Sequence, residues 1–258
     1  MKKKLDFIIT SNEALNKQTC LLKVTPKNGE IMEEMYPGQF VQLLVHDSSS
    51  IFLRRPLSIN FHDKERNEIW LLIQSVGGGT QKITEMKVGE SLDLLFPLGN
   101  TFSIPKPNQK TLLIGGGVGT APLLFLGKVL RDKGHTPEFL LGGRSKLDIS
   151  QIEDFEKLGI VHTTTEDGSI GEKGLITHHS VLKNKQFDKI YTCGPRPMML
   201  AIAQYASDNK IDCEVSLENH MPCGFGSCLC CVENTKRGNI CVCTEGPVFN
   251  IDELKWID

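Results

Sequence analysis

The sequence predicts a multi-domain chain of β plus α/β type: an antiparallel β-barrel over residues 1–103, a parallel-sheet α/β domain over 104–217, and a small cysteine-rich module over 218–258. Three observations predict it. Short apolar and alternating runs fill the chain up to Phe102, and a glycine-rich turn after Thr111 joins a buried strand to an amphipathic helix. Six of the nine cysteines fall between Cys223 and Cys243.

Taken in order, FVQLLV, LRRPLSINF, EIWLLIQSV and SLDLLF read as strands, being short apolar or alternating runs bounded by glycine, proline and charge. Such a set is expected to close into a small barrel. Within it only ITEMK, after a glycine triplet, has helical character. IPKPNQK, from Ile104 to Lys110, carries two prolines and no apolar period, which marks a linker. TLLIG, APLLFLGKVLRDKG and PEFLLGG then make a strand–helix–strand unit. IVHTTT, GLITHHSVLKN, KIYTCG, PMMLAIAQYASDNK and DCEVSL continue the alternation to about Leu217, as in an α/β nucleotide-binding domain.

Composition narrows the partners. Against 31 acidic residues stand 29 basic ones, a formal charge of -2, so nothing favours nucleic acid or an anionic membrane. The basic start MKKK is followed only by Phe7, Ile8 and Ile9 as an apolar run, too little for a secretory signal. No stretch approaches the roughly 18 apolar residues of a membrane span. A cytoplasmic protein is expected, with its cysteines as reduced thiols and metal ligands rather than disulfides.

The cysteine segment carries the most specific chemistry. Cys223, Cys228 and Cys231 make C-x4-C-x2-C, with further cysteines at 241 and 243, which is the plant-type spacing for a [2Fe-2S] cluster. Thiolates are soft ligands for iron, and short spacings let one loop present several sulfurs from one side. Gly224 and Gly226 suit that loop, since glycine takes positive φ and turns backbone N–H groups toward sulfur. A structural zinc is the rival reading. Zinc sites usually pair two short cysteine knuckles, and only the first half of the segment has that form, so iron–sulfur is favoured. Cys241 and Cys243 share parity, so a strand through GNICVCTEG aims both at one face and alternation does not choose the fourth ligand. Cys230 reads as a bystander.

Two glycine loops point to nucleotides. In GGGVGTAP, Gly115 to Pro122, the strand-to-helix turn lets backbone N–H groups approach a pyrophosphate at a helix N-terminus, with Pro122 in the first helical turn. Gly115, Gly117 and Gly119 are its candidate contacts, and the domain is expected to be Rossmann-like. An acidic residue for the adenosine ribose is not evident: GGRSKLD sets Arg144 and Lys146 ahead of Asp148, so charge leaves NAD against NADP open. The second loop, SVGGGTQKI from Ser75 to Ile83, opens the helical segment of the barrel. A hairpin turn with Thr80 as N-cap is its plain alternative. Arg54 and Arg55 in FLRRPLSIN turn the reading toward a dinucleotide's phosphates, with Ser58 placed for a flavin edge.

RPLS at Arg55–Ser58, GGGT at Gly77–Thr80, GxGxGxxP at Gly115–Pro122 and CGP at Cys193–Pro195 resemble the ferredoxin reductase superfamily. TEDGSIGEKGLIT resembles the stretch that ends the third strand in those proteins. The resemblance implies a barrel that holds FAD and an α/β domain that holds a pyridine nucleotide. ENHMPCGFGSCLCCVE and VCTEGPVF narrow it, being similar to the electron transfer subunits of NAD-using dihydroorotate dehydrogenases, over nearly the whole chain. That family implies FAD contacts at Arg55, Pro56, Leu57, Ser58, Leu72, Ile73, Gln74, Gly79 and Thr80, and a nicotinamide near Cys193. It implies a [2Fe-2S] cluster on Cys223, Cys228, Cys231 and Cys243, because the last ligand in the family is the cysteine immediately before x-x-G-P. Cys193 reads equally as a buried thiol at a strand end, and no general acid or base is assigned.

The implied partner is an FMN-containing catalytic subunit that oxidises dihydroorotate to orotate in pyrimidine biosynthesis, in a heterotetramer of two of each. Electrons then pass from FMN to cluster to FAD, and as hydride to NAD, because only a flavin converts single electrons to a hydride here. Many plain reductases end in an aromatic residue over the flavin. This chain runs on into the cysteine module and ends KWID, so its flavin is expected to face the cluster. The rival within the fold is the flavin and iron–sulfur subunit of an NADH-dependent ferredoxin:NADP reductase or sulfide dehydrogenase. From another class, the rival is a zinc-binding subunit that moves no electrons.

Overall fold

The computed structural model describes residues 2–44 and 51–257. The final residue of the expected strand FVQLLV, at position 45, lies outside the described residues. The N-terminal sheet contains β1 (Lys3–Ala14), β2 (Thr19–Pro26), β3 (Phe40–Leu44), β4 (Arg55–Ser58), β5 (Phe61–Asp63), β6 (Glu68–Gln74) and β7 (Ser91–Leu98), with helix α1 (Gly78–Thr84) between the last two. Its seven strands run in the order β4-β3-β7-β1-β2-β6-β5, each antiparallel to its neighbours. The two ends of that order are one continuous segment. The N–H of Ile59 bonds the Gln39 carbonyl at 3.0 Å, and that of Asn60 the Trp70 carbonyl at 2.9 Å, so the β4–β5 bend wraps the sheet toward a barrel. Strand alternation sends Phe7, Ile9, Leu22, Val24, Leu71 and Ile73 inside. Phe7 meets Phe96 edge-on at 5.0 Å, a contact that contributes about 0.5–1.5 kcal/mol beyond area burial.

The helix in this part starts five residues earlier than ITEMK. Its N-cap is Gly77, and Thr80 stands within the first turn, where its Oγ1 accepts the N–H groups of Val76 at 3.0 Å and Gly77 at 3.2 Å. Thr80 thus satisfies free N–H donors from inside the helix instead of serving as the N-cap itself.

The second sheet contains β8 (Thr111–Gly116), β9 (Glu138–Gly143), β10 (Ile160–Thr165), β11 (Glu172–Lys173), β12 (Lys189–Cys193) and β13 (Asp212–Ser216), with α2 (Ala121–Asp132), α3 (Ile152–Glu156), α4 (Val181–Asn184) and α5 (Arg196–Asp208) interspersed. Pro122 falls in the first turn of α2. GLITHHSVLKN forms only a 3-10 turn at Ile176–His178 and the four-residue α4, because His179 Nδ1 accepts the Val181 N–H at 3.0 Å and breaks the run. The order is β11-β10-β9-β8-β12-β13, all parallel. The order reverses between β8 and β12, and in open parallel sheets the crevice beyond the carboxyl ends at such a point is where ligands bind.

The cysteine segment is stitched to both sheets. It contributes the hairpin β14 (Val232–Thr235) and β15 (Gly238–Cys241), the short α6 (Val242–Glu245), and β16 (Val248–Asn250), which adds antiparallel to β13. Asn100, just past β7, donates through Nδ2 to the carbonyls of Glu245 at 2.9 Å and Val248 at 2.8 Å, and accepts the Val248 N–H at 2.9 Å. Among the described residues no helix is long and apolar enough to cross a membrane.

Candidate functional site: two adjoining cavities and a cysteine loop

A cavity of about 540 Å³ opens against the N-terminal sheet, lined by Arg55, Pro56, Leu57, Ser58, Leu72 and Gln74, and by Thr80 at the start of α1. Of the two adjacent arginines, Arg54 is engaged structurally: it lies 2.7 Å from the carboxylate of Asp93, which is 3 % exposed, and donates to the Gln42 carbonyl at 3.0 Å. Both arginines line the cavity, and among the described residues Arg55 bonds only the Leu53 carbonyl, so its guanidinium is the less committed of the two toward a ligand's phosphate. A Cβ at Gly79 would lie 2.3–2.5 Å from that guanidinium, so the glycine makes room for Arg55 across the helix start. Leu72 and Gln74 face the cavity, whereas the intervening Ile73 turns its side chain into the sheet core and does not reach it. Pairing with an anion through Arg55 contributes about 1.5–3 kcal/mol, so Arg55→Ala is expected to weaken FAD binding roughly tenfold to hundredfold. Flavin fluorescence titration measures it. Arg54→Ala is expected to lower the midpoint of urea unfolding instead, because it strips Asp93 of its nearest cation.

A second cavity, of about 500 Å³, occupies the crevice at the strand-order reversal and is lined by Gly116, Gly117, Gly119, Arg144, Glu166 and Pro195 among others. The glycines act differently. Gly117 takes φ +56 with open space around it. A Cβ on Gly119 would sit 2.5 Å from the Gly194 Cα, and one on Gly115 2.7 Å from Thr120 Cγ2, so Gly115 packs beneath the loop rather than lining it. Cys193 at the end of β12 is fully buried and does not line the cavity. Burial pushes its thiol well above the usual range. Asp148 turns its carboxylate back to the Ser145 N–H at 2.8 Å and hydroxyl at 3.0 Å. Glu166 also lines the cavity, set beside the end of β9 by its N–H to the Gly143 carbonyl at 3.1 Å.

The cysteine loop gathers its sulfurs around Cys228, which Cys223 and Cys230 both meet, and Cys231, which Cys241 and Cys243 both meet. The Cys223 thiol meets that of Cys228, and the Cys231 thiol meets that of Cys243. Desolvation opposes ionisation of Cys223, but the N–H groups of Phe225, Cys228 and Ser227 and the Cys228 thiol outweigh it and hold the thiol down at about 6. Gly224 and Gly226 take φ +77 and +84, which turns these N–H groups inward. The Gly226 N–H lies 3.1 Å from Cys243 Sγ, and the Cys243 N–H 3.4 Å from Cys231 Sγ. Burial first, then Cys231, pushes the Cys243 thiol up to about 12. Cys241 ends β15 half-buried, whereas Cys243 lies in α6, fully buried, so the shared parity of the two does not translate into a shared direction. Cys230 is exposed, and its Sγ lies 3.6 Å from the Cys228 carbonyl.

All nine cysteines are free thiols, and among the described residues no three His, Cys, Asp or Glu side chains focus on a single-ion site. A [2Fe-2S] cluster takes two terminal thiolates on each iron, a pattern that Cys223 with Cys228 and Cys231 with Cys243 can supply, and sulfur-directed N–H groups suit its charge.

Sequence reasoning used the stretch between β13 and the cysteines only as part of the family resemblance and assigned it no cavity. Glu218, Asn219, His220, Met221 and Pro222 all line the first cavity, and Glu218 lines the second as well. The buried Gln42 of β3 holds this stretch by donating from Nε2 to the Met221 carbonyl. The signal for a site was position: polar residues directly beyond the carboxyl end of a parallel strand.

A curled antiparallel sheet followed by a parallel sheet with its crevice at the reversal is the architecture of ferredoxin reductase-like proteins. A solved NADH-dependent reduced ferredoxin–NADP oxidoreductase superposes with TM-score 0.86 at 27 % identity, covering 97 % of this chain and 90 % of that one. The flavohemoglobin-like FAD/NAD-binding domain of a nitric oxide dioxygenase from Vibrio cholerae shares the fold, with TM-score 0.71 at 17 % identity over 82 % of this chain and 98 % of that one. Residues 218–255 match the model of the iron–sulfur cluster binding domain of dihydroorotate dehydrogenase B. The electron transfer subunit of dihydroorotate dehydrogenase B (NAD(+)) from Shouchella clausii is 37 % identical over 88 % of this chain and 89 % of its own. That from Bacillus pumilus is 34 % identical over 98 % of each. The chain belongs to the family of dihydroorotate dehydrogenase B electron transfer subunits.

Proposed function

We propose that this chain passes electrons from the FMN of a dihydroorotate-oxidising partner through a [2Fe-2S] cluster and FAD to NAD, in pyrimidine biosynthesis. The observation that carries the proposal is the continuity of the three sites along the chain. Glu218 borders both cavities, Met221 and Pro222 border the first, and Cys223 follows at once. Pro247, four residues after Cys243, borders the first cavity from the other end of the module. The family relationship and the 218–255 match support the same reading.

Cys223, Cys228, Cys231 and Cys243 would hold the cluster, and the loop N–H groups balance its charge. Arg55 and the start of α1 would hold the FAD pyrophosphate, with Pro56, Leu57, Ser58 and Gln74 along the rest of its cavity. Gly117 and Gly119 let the β8–α2 turn approach a dinucleotide in the second cavity. When bound, the flavin supplies the conversion between single electrons and a hydride. Bound cofactors exclude water from the wall shared by the two cavities, which is where the chain must bring nicotinamide and flavin together.

The partner is read as an FMN-bearing subunit in an assembly of two copies of each. Mixing the loaded chain with that subunit is expected to give dihydroorotate-dependent NADH formation, and native mass measurement a 2:2 complex. If both subunits are loaded and no NADH forms, while ferredoxin and NADP support turnover, the chain serves the related reductase instead.

A further inference from the structure

One buried carboxylate of the cysteine module is tied to the walls of both cavities. Glu233, on β14 two residues after Cys231, is 7 % exposed. Each of its oxygens receives one guanidinium N–H and one further donor. Oε1 takes Arg196 Nη2 at 3.1 Å and Trp256 Nε1 at 3.2 Å, and Oε2 takes Arg196 Nη1 at 3.3 Å and Asn219 Nδ2 at 3.2 Å. The guanidinium also lies over the Trp256 ring, 5.1 Å from its centroid. Burial opposes the charge of Glu233, but Arg196, Asn219 and Trp256 outweigh it and hold the carboxyl below its usual range. A buried carboxylate bonded on both oxygens is costly to displace, so the groups that meet it share one fixed reference point. Asn219 lines the first cavity. Arg196 is the first residue of α5 and lies between Pro195 and Pro197, which both line the second. The start of α5 has no side-chain cap, and Arg196 supplies its tether instead. The same turn packs closely on the β8–α2 turn, since a Cβ on Gly119 would lie 2.5 Å from the Gly194 Cα, so a shift of α5 reaches the nicotinamide side of the crevice.

We propose that Glu233 is a positioning residue for the hydride step, which sets nicotinamide against flavin by holding Arg196 on one side and Asn219 on the other at a single carboxylate. Hydride transfer needs its two reacting atoms in contact, and a displacement of about 1 Å costs on the order of 100-fold in rate. Glu233 lines neither cavity and acts only through the groups it holds. Trp256 completes the device by bonding the Oε1 side and flanking the guanidinium, which keeps the fork of Arg196 in the plane of the carboxylate. The inference rests on the assignment of the two cavities to flavin and nicotinamide. It adds that the cysteine module, besides carrying the cluster, sets the geometry in which the other two groups meet.

The test reads the contact itself as well as the rate. In the loaded chain, anaerobic stopped-flow mixing with NADH gives the rate of flavin reduction at saturation, and the long-wavelength charge-transfer absorbance of stacked nicotinamide and flavin reports their contact directly. Glu233→Gln removes the charge and turns an amide donor toward donors. It is expected to slow flavin reduction about tenfold to hundredfold and to weaken the charge-transfer band, with FAD and iron contents at the parent level. Arg196→Ala, at a side chain 54 % exposed, is expected to give most of that slowing, and the double variant no more than Glu233→Gln alone. Arg196→Lys keeps the charge without the fork and is expected to recover part of the loss. An unchanged rate and band in both single variants, or slowing that multiplies in the double variant, overturns the role of Glu233. Slowing accompanied by loss of FAD or iron overturns it too, since Glu233 then only holds the fold. A parent chain whose flavin NADH does not reduce overturns the cavity assignment itself, and that result is read before any variant is made.

Discussion

Cys243→Ser is expected to leave the purified chain with almost none of its [2Fe-2S] absorbance or iron, while Cys241→Ser and Cys230→Ser keep both. The difference follows from where the chain holds each sulfur. Cys243 is fully buried in α6, its Sγ receives the Gly226 N–H, and its own N–H points to Cys231. A serine there replaces a soft, already oriented thiolate with a hard hydroxyl that stays protonated. Cys241 also reaches Cys231, yet its Sγ lies 4.0 Å from the Gly226 carbonyl and receives no backbone N–H among the described residues. A carbonyl offers no hydrogen bond to a cluster-bound sulfur. Iron assay and the visible spectrum decide it, and loss of the cluster in Cys241→Ser with retention in Cys243→Ser reverses the ligand assignment. A colourless parent containing zinc and no flavin contradicts the redox reading altogether.

Gly119→Ala is expected to close the nicotinamide crevice while sparing the flavin. Its new Cβ would lie 2.5 Å from the Gly194 Cα, 2.6 Å from the Cys193 carbonyl oxygen and 2.6 Å from the Gly194 nitrogen. These are backbone atoms at the end of β12 and cannot swing aside as a side chain can. The two loops must separate, at a cost of about 1–3 kcal/mol of stability by overpacking. The KM for NADH is expected to rise roughly tenfold or more, since 1.4 kcal/mol of lost binding is a factor of ten. FAD retention should be unchanged, because Gly119 does not line the first cavity. Gly117→Ala is the comparison: its Cβ meets nothing within 4 Å, and it bears only the left-handed backbone cost of about 1–2 kcal/mol. Urea unfolding and NADH-driven flavin reduction measure the two effects, and an unchanged KM in Gly119→Ala contradicts the crevice assignment.

Features set by local spacing were the ones legible in the sequence. The C-x4-C-x2-C run, the glycine turn after β8 and Pro122 in the first turn of α2 each act within a few residues, so pattern and structure agree. Features set by contacts distant in sequence were not. Arg54 and Arg55 look alike along the chain and both line the first cavity, but Asp93 from β7 pairs with Arg54. Strand parity left Cys241 and Cys243 equivalent, but β15 ends at Cys241 and the helical turn that follows redirects Cys243. Ile73 lies between two cavity residues, and alternation, applied to that strand, assigns it to the core. Glu218 opened the ENHMPC motif without an assigned role and gained its place because β13 ends where two cavities adjoin. Glu166 was hidden for a related reason: it follows the end of β10, and only the parallel pairing of β10 with β9 brings it to the second cavity.

The central claim is that one chain connects nicotinamide, flavin and cluster. Anaerobic titration of the loaded chain with NADH, followed by flavin absorbance and by the electron paramagnetic resonance signal of a reduced [2Fe-2S] cluster, tests it most directly. The expected result is bleaching of the flavin together with appearance of the cluster signal, both slowed in Gly119→Ala at the same sub-saturating NADH concentration. A flavin that bleaches while the cluster stays oxidised, even after prolonged incubation with excess NADH, contradicts it.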